Sequence, residues 1–146
     1  MTCDRWQDVD FSSVYYLAHQ KVLVRSGSGI TGVTDLNGKR VCATFGSTSI
    51  VNIQTIAPKA GLYGVNTRAD CLVALQEGKI DAISTDDTIL EGLHAQDPTT
   101  EVLEQPLTDE PYGMATAKGH PEFVRFVNAV LERIRTNGTW TDIDRR

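Results

Sequence analysis

The chain has 146 residues, 40% of them hydrophobic and 23% charged, with a formal net charge of -5. That balance supports one ordinary globular core and excludes a disordered chain. An acidic chain without a basic run argues against nucleic acid or an anionic membrane surface as partner, and no apolar stretch approaches the roughly 18 residues of a membrane span.

Met1 is followed at once by Thr2, Cys3, Asp4 and Arg5, which does not read as a signal peptide. Residues 9–12 and 15–24, rich in Val, Tyr and Phe, predict strands, and Ser26-Gly27-Ser28-Gly29 breaks off the second. Thr34-Asp35-Leu36 reads as one helical turn capped by Thr34. Asn37-Gly38 then turns the chain into a strand over 40–44. A loop of small residues follows, Gly46-Ser47-Thr48-Ser49, and a helix from 48 to about 59, with Pro58 near its end and Gly61 beyond. Residues 63–66 form a short candidate strand. Thr67 caps the next helix with Asp70 in the capping-box position, and Gly78 stops it after Cys71, Leu72 and Leu75. Residues 80–84 read as a buried strand, and Asp86 or Asp87 starts a helix through Ile89, Leu90 and Leu93. Strands are expected at 100–103 and 112–117. The strongest period comes last: Phe123, Phe126, Val127, Val130, Leu131 and Ile134 share one helical face, with Pro121 in the first turn and Gly138 at the stop. Trp140 follows on a short terminal segment. Strands alternating with helices predict an α/β fold with a mostly parallel sheet. Boundaries are expected near residues 16–20 and in the polar stretch 106–111.

The loop after the 40–44 strand is the most suggestive feature. Gly46 allows a tight turn, and Ser47 or Thr48 caps the helix. The remaining first-turn N–H groups, at the positive end of the helix dipole, suit a small carboxylate. An ordinary strand-to-helix turn with a Ser cap fits the same residues. Asp86 follows another strand and should lie at the same rim, where open α/β sheets bind ligands. Arg5 offers a planar donor fork suited to a carboxylate. Donors, an arginine and an acid together match a zwitterion. Taken singly, Arg5 is a surface charge and Asp86 a helix cap, a role for which Asp87 competes.

Catalytic signals are poor. Gly46-Ser47-Thr48-Ser49 is not a Gly-x-Ser-x-Gly elbow. His19, His94 and His120 are scattered without metal-ligand spacing and read as surface or packing residues. Asp86 and Asp87 are adjacent, so on a helix they diverge. No phosphate-loop or dinucleotide motif is present, and no cofactor or metal is expected. Three cysteines allow one disulfide and one odd thiol. A Cys42–Cys71 bridge would contribute about 3–4 kcal/mol by closing its loop, but two buried thiols suit the residues equally.

The sequence resembles the amino-acid-binding solute receptors of ABC importers, solute-binding family 3, over nearly its whole length. The resemblance rests on Thr2-Cys3-Asp4-Arg5 running into Val9-Asp10-Phe11-Ser12 and Tyr15-Tyr16, on Thr34-Asp35-Leu36-Asn37-Gly38-Lys39-Arg40-Val41, and on Gly46-Ser47-Thr48-Ser49. It continues through Leu75-Gln76-Glu77-Gly78-Lys79-Ile80-Asp81-Ala82, Thr85-Asp86-Asp87, Tyr112-Gly113-Met114-Ala115 and the helix after Pro121. It implies a lobe of the periplasmic-binding-protein type II kind. Arg5 would grip a ligand α-carboxylate with Ser47 and Thr48, and Asp86 would hold the α-ammonium. The cysteine pair resembles that of actinobacterial glutamate- or glutamine-binding lipoproteins, which implies a Cys42–Cys71 disulfide.

Members of that family have two lobes. The resemblance therefore implies a hinge and first-lobe remnant over 1–17, a second lobe over 18–111, and a hinge return with C-terminal first-lobe helices over 112–146. Most of the first lobe, and a ligand-binding threonine, would precede Met1, and Cys3 would have lost its partner with them. The implied function is extracellular capture of glutamate or a close relative, without chemistry, by a lipid-anchored protein that delivers to a permease. The apolar face around Phe126 would find cover in a dimer exchanging terminal segments. The alternatives are a sensing module for a signalling partner and a dehydratase-like enzyme using Asp86 or Glu91.

Overall fold

Val22, Leu23 and Val24 are consecutive, and all three are buried. Neighbouring side chains of a strand point to opposite faces, so such a run requires a core on both sides of its sheet. The computed structural model, which describes residues 1–144, has that arrangement. The chain divides into two compact units: Ala18–Glu110, and Met1–Leu17 together with the chain from Pro111 onward.

The continuous unit is built on β2 (Tyr16–Arg25), β3 (Arg40–Thr44), β4 (Gly61–Val65), β5 (Ala82–Asp86) and β6 (Thr100–Val102), in the order β4-β3-β5-β2-β6. A further strand, β7 (Thr108–Tyr112), also pairs with β2. The α/β class holds. β4, β3 and β5 pair parallel, and β2 joins β5 and β6 antiparallel, so the sheet is mixed. The helices are α2 (Thr48–Ile56), α3 (Arg68–Gln76) and α4 (Asp87–Gln96).

Side-chain alternation sorts the apolar residues into two cores. Val22, Val24, Val41 and Ala82 pack with Ile30, Leu36, Ile53 and Ala57 on the α2 face. Leu23, Cys42 and Ile83 pack with residues of α3 and α4, among them Leu72, Leu75, Leu90 and Leu93. On that second face Cys42 and Cys71 form a disulfide, with Cα atoms 5.7 Å apart across a sequence separation of 29. At the entry to the parallel strands, the Arg40 guanidinium and amide bind Asp81 and hold its carboxyl below the usual carboxylate range.

Local signals worked where they were reciprocal. The Thr67–Asp70 capping box opens α3, and Gly78, with φ +70°, closes it as its amide reaches Leu75 O. Other caps differ from expectation. The turn at Val33–Leu36 is a 3-10 turn with Gly32 at its N-cap, and Thr34 caps nothing there; Asp35 instead accepts from the Thr31 amide and hydroxyl. The helix expected to reach residue 59 ends at Ile56, two residues short of Pro58, because the residue before proline is driven out of the helical region. The strand expected over 112–117 is two strands, β7 ending at Tyr112 and β8 (Ala115–Ala117).

In the discontinuous unit, β1 (Val9–Phe11) pairs antiparallel with β8, and α5 (Pro121–Thr136) and α6 (Thr139–Asp144) follow. A four-residue helical turn, α1 (Arg5–Asp8), precedes β1, and Trp6 leans on Phe11. Trp140, on the short terminal segment, lies in α6, with its ring against Tyr15. Asn128 and Arg135 of α5 bind the backbone at Ser13 and Val14. Of the α5 stripe only Leu131 is fully buried. Phe123, Phe126 and Val130 are 52%, 63% and 41% exposed, and the two phenylalanine rings stack beside a groove floored by Ala115–Ala117.

The disulfide and the capping box make separable contributions to stability. Replacing both Cys42 and Cys71 by Ala should lower unfolding free energy by about 2–4 kcal/mol, most of it from lost loop closure in the unfolded chain. Urea titration measures it, and a reducing agent should reproduce the shift in the wild type. Thr67→Ala should cost about 1 kcal/mol in the same titration.

Candidate functional site

β3 and β5 are parallel neighbours, so their C-terminal ends reach the same rim of the sheet. Each strand is followed at once by a helix. After β3, Gly46 takes φ +70°, Ser47 occupies the N-cap position, and α2 begins at Thr48. After β5, Asp86 is itself the N-cap, and α4 begins at Asp87. Two helix N-termini thus open side by side.

They differ in charge. Ser47, one of the two residues read as a cap for α2, occupies the N-cap position without capping: its hydroxyl donates back to Thr44 O at 2.7 Å. Among the described residues α2 has no side-chain cap, and its first turn contains no acidic residue. The early amides of the helix have no intrahelical acceptor, and the dipole leaves them positive. At α4 the dipole meets carboxylates. Asp86 is half-buried and makes no cap hydrogen bond, while Asp87 accepts from the Thr88 amide at 2.9 Å. Alternation along β5 carries Asp86 to the α2 face of the sheet, the side shared by Ala82 and Ser84. The rim therefore offers bare amide donors at one helix start and an acid at the next, on one face.

A network that no local pattern announced lies beneath this rim. Gln20 is fully buried in β2, in register with Asp86. Its side-chain amide donates to Ser49 O at 3.2 Å and to Ser84 Oγ at 2.8 Å. Its oxygen accepts from Asn52 Nδ2 at 2.7 Å, and Asn52 also reaches Glu110 Oε1. The one sequence signal was slight: Gln20, between His19 and Lys21, shares the inward period of Ala18 and Val22, and such a group must find partners when buried.

The remaining candidates fall elsewhere. Arg5 belongs to the discontinuous unit and is exposed on α1. Glu91 is exposed on α4. His19 lies between Asp87 and Asp109, at 3.4 and 3.5 Å; His94 meets Thr100, and His120 meets Glu122. Cys3 is an exposed free thiol. Among the described residues no cluster of His, Cys, Asp and Glu side chains is placed to hold a metal ion, and no helix is long and apolar enough to cross a membrane.

Comparison with known proteins finds relatives over most of the chain. The glutamine-binding protein GlnH of a Bacillus subtilis ABC transporter is 38% identical over 144 residues, covering 98% of this chain and 53% of that protein. The glutamate-binding protein GluB of Corynebacterium glutamicum is 36% identical over 144 residues, covering 93% and 49%. A solved ancestral arginine-binding protein bound to glutamine superposes with a TM-score of 0.89 at 30% identity, covering 98% of this chain and 65% of that one. The chain thus spans about half the length of the curated relatives it matches. Residues 1–146 match bacterial extracellular solute-binding proteins, family 3, throughout, and the chain belongs to that family.

Proposed function

We propose that this chain supplies the backbone-binding half of an amino-acid site in an extracellular capture protein that serves an ABC importer. The observation that carries the reading is the pair of unlike helix starts at one rim, with uncapped amides at α2 and the Asp86 carboxylate at α4. An α-amino acid presents the complementary pair, a carboxylate and an ammonium about one carbon apart. The Thr48 and Ser49 amides with the Thr48 hydroxyl receive the carboxylate, the Ser47 hydroxyl joins them by turning away from Thr44 O, Arg5 adds its donor fork, and Asp86 holds the ammonium. The protein binds and releases its ligand unchanged, without cofactor or metal. Relatives named for glutamine and glutamate support a ligand of that size, glutamate or a close relative.

Capture works by closure of two lobes about strands near Tyr16–Gln20 and Tyr112–Ala115, a hinge motion around the ligand. The second lobe spans 18–111, and 1–17 with 112–146 belong to the hinge and the first lobe. A lipid anchor holds the protein at the outer face of the membrane, where it meets its permease. The exposed Phe123, Phe126 and Val130 are an apolar face that needs cover, and in a chain of this length a second copy provides it, with terminal segments exchanged.

Calorimetry on the complete gene product tests the site. Asp86→Ala should weaken glutamate binding by about 3 kcal/mol, roughly a hundredfold, because it strands a bound ammonium. Unchanged affinity would refute the assignment. Light scattering tests the cover: the 146-residue chain should run heavier than a monomer, and Phe126→Asp should restore monomer mass. A monomeric wild type would contradict the dimer.

A further inference from the structure

We propose that Gln20 is a positioning residue that fixes the distance between the two poles of the amino-acid site, holding the first turn of α2 against the strand that ends in Asp86. The inference rests on the reading above for its ligand, and on the hydrogen-bond geometry for everything else.

Gln20 is 0% exposed, and its backbone lies in register with Asp86 across the β2–β5 pairing. Its side chain lies on the α2 face, two residues from Val22 in the same strand. There one amide proton goes to Ser49 O in the first turn of α2, and the other to Ser84 Oγ, two residues before Asp86 in β5. Both recipients are themselves buried, at 3% and 0% exposure. The orientation of the amide is fixed, because Ser49 O can only accept. Ser84 Oγ in turn donates to Lys21 O at 3.0 Å, which returns the chain of bonds to β2. The Gln20 oxygen accepts from Asn52, one turn further along α2. Thr108 Oγ1 lies 3.4 Å from that oxygen but has one proton and a nearer acceptor in Glu110 Oε1 at 2.9 Å.

One side chain is thereby bonded to the helix that offers the amides and to the strand that offers the acid. Apolar packing alone would allow α2 to slide along its axis at small cost, because dispersion contacts are not directional. Two directed bonds to α2, one on Ser49 O and one from Asn52, remove that freedom. A fraction of an ångström matters here, because a carboxylate and an ammonium on one carbon have a fixed spacing and the site must match it.

Gln20→Met is the test. Methionine fills a similar volume, Ser84 keeps Lys21 O, Asn52 keeps Glu110, and Ser49 O lies inside α2, where a carbonyl is served by the amide four residues on, so no buried polar group is orphaned and the variant folds. Its amide resonances at Thr48, Ser49 and Ile50 should shift, and its affinity for L-glutamate should fall about tenfold in calorimetry on the complete gene product. The ligand in which the α-carboxylate is replaced by a carboxamide separates positioning from general loosening. In the wild type that replacement costs affinity; in Gln20→Met the cost should shrink, because the donors no longer meet the carboxylate. Equal loss for both ligands, or affinity within about twofold of wild type, overturns the proposal. Asn52→Ala, at a half-exposed site, gives the same comparison should the methionine variant fail to fold: a severalfold loss with the same ligand dependence supports the proposal, and none overturns it. Should the wild type bind no amino acid, the functional reading fails alone. The amide shifts still decide the positioning role, and unmoved resonances reject it.

Discussion

Two parallel strands lying side by side impose the constraint from which the rest of the continuous unit follows. Because β3 and β5 point the same way, whatever follows each of them begins at one rim. A helix follows each, and every helix begins with amides that lack partners and with the positive end of its dipole. The fold thus delivers two equivalent electrostatic features to one place, and the sequence makes them unlike. At α4 two aspartates answer the dipole; at α2 only small hydroxyl residues stand there, and the one best placed to cap turns back to Thr44. An asymmetric pair of charges arises from a symmetric piece of backbone by the choice of four or five residues.

That rim is held from both sides. On the α3 and α4 face the Cys42–Cys71 bridge ties β3 to α3 within the apolar core. On the α2 face the attachment is polar, through Gln20, Ser84 and Asn52. The division suits the task. A covalent tie on the far face restrains the sheet without reaching the rim, while directed hydrogen bonds on the near face set where the amides of α2 stand.

Much of this was legible in the residues because the physics was local. The 40–44 strand is placed to the residue, since Asn37-Gly38 and Gly46 punctuate it. The capping box at Thr67 and Asp70 is reciprocal and self-sufficient. What escaped was non-local. β7 runs through an acidic, proline-bearing stretch that reads as a boundary; its partner is β2, far away in sequence, and Pro111 falls near its end, where a missing N–H is tolerated. Gln20 reads as one of three successive polar residues, His19-Gln20-Lys21, until three other elements surround it. The α5 stripe shows the opposite limit: periodicity identifies the apolar face but not what lies against it, and Phe126 stands 63% exposed. The role proposed for Asp86 depends on resemblance, because an acid after a strand is most often a helix cap.

The division of the chain carries a consequence for its synthesis. Ala18–Glu110 is continuous, so all of its strands emerge from the ribosome in one stretch, and this unit can fold on the nascent chain. The other unit cannot. Here β1 precedes the continuous unit, while β8, the strand it pairs with among the described residues, is made about a hundred residues later, and Leu131 arrives later still. Val9 to Phe11 cannot pair with β8 until the middle of the molecule has been made, and the shortness of that strand, three residues, makes it a poor template for aggregation in the interval.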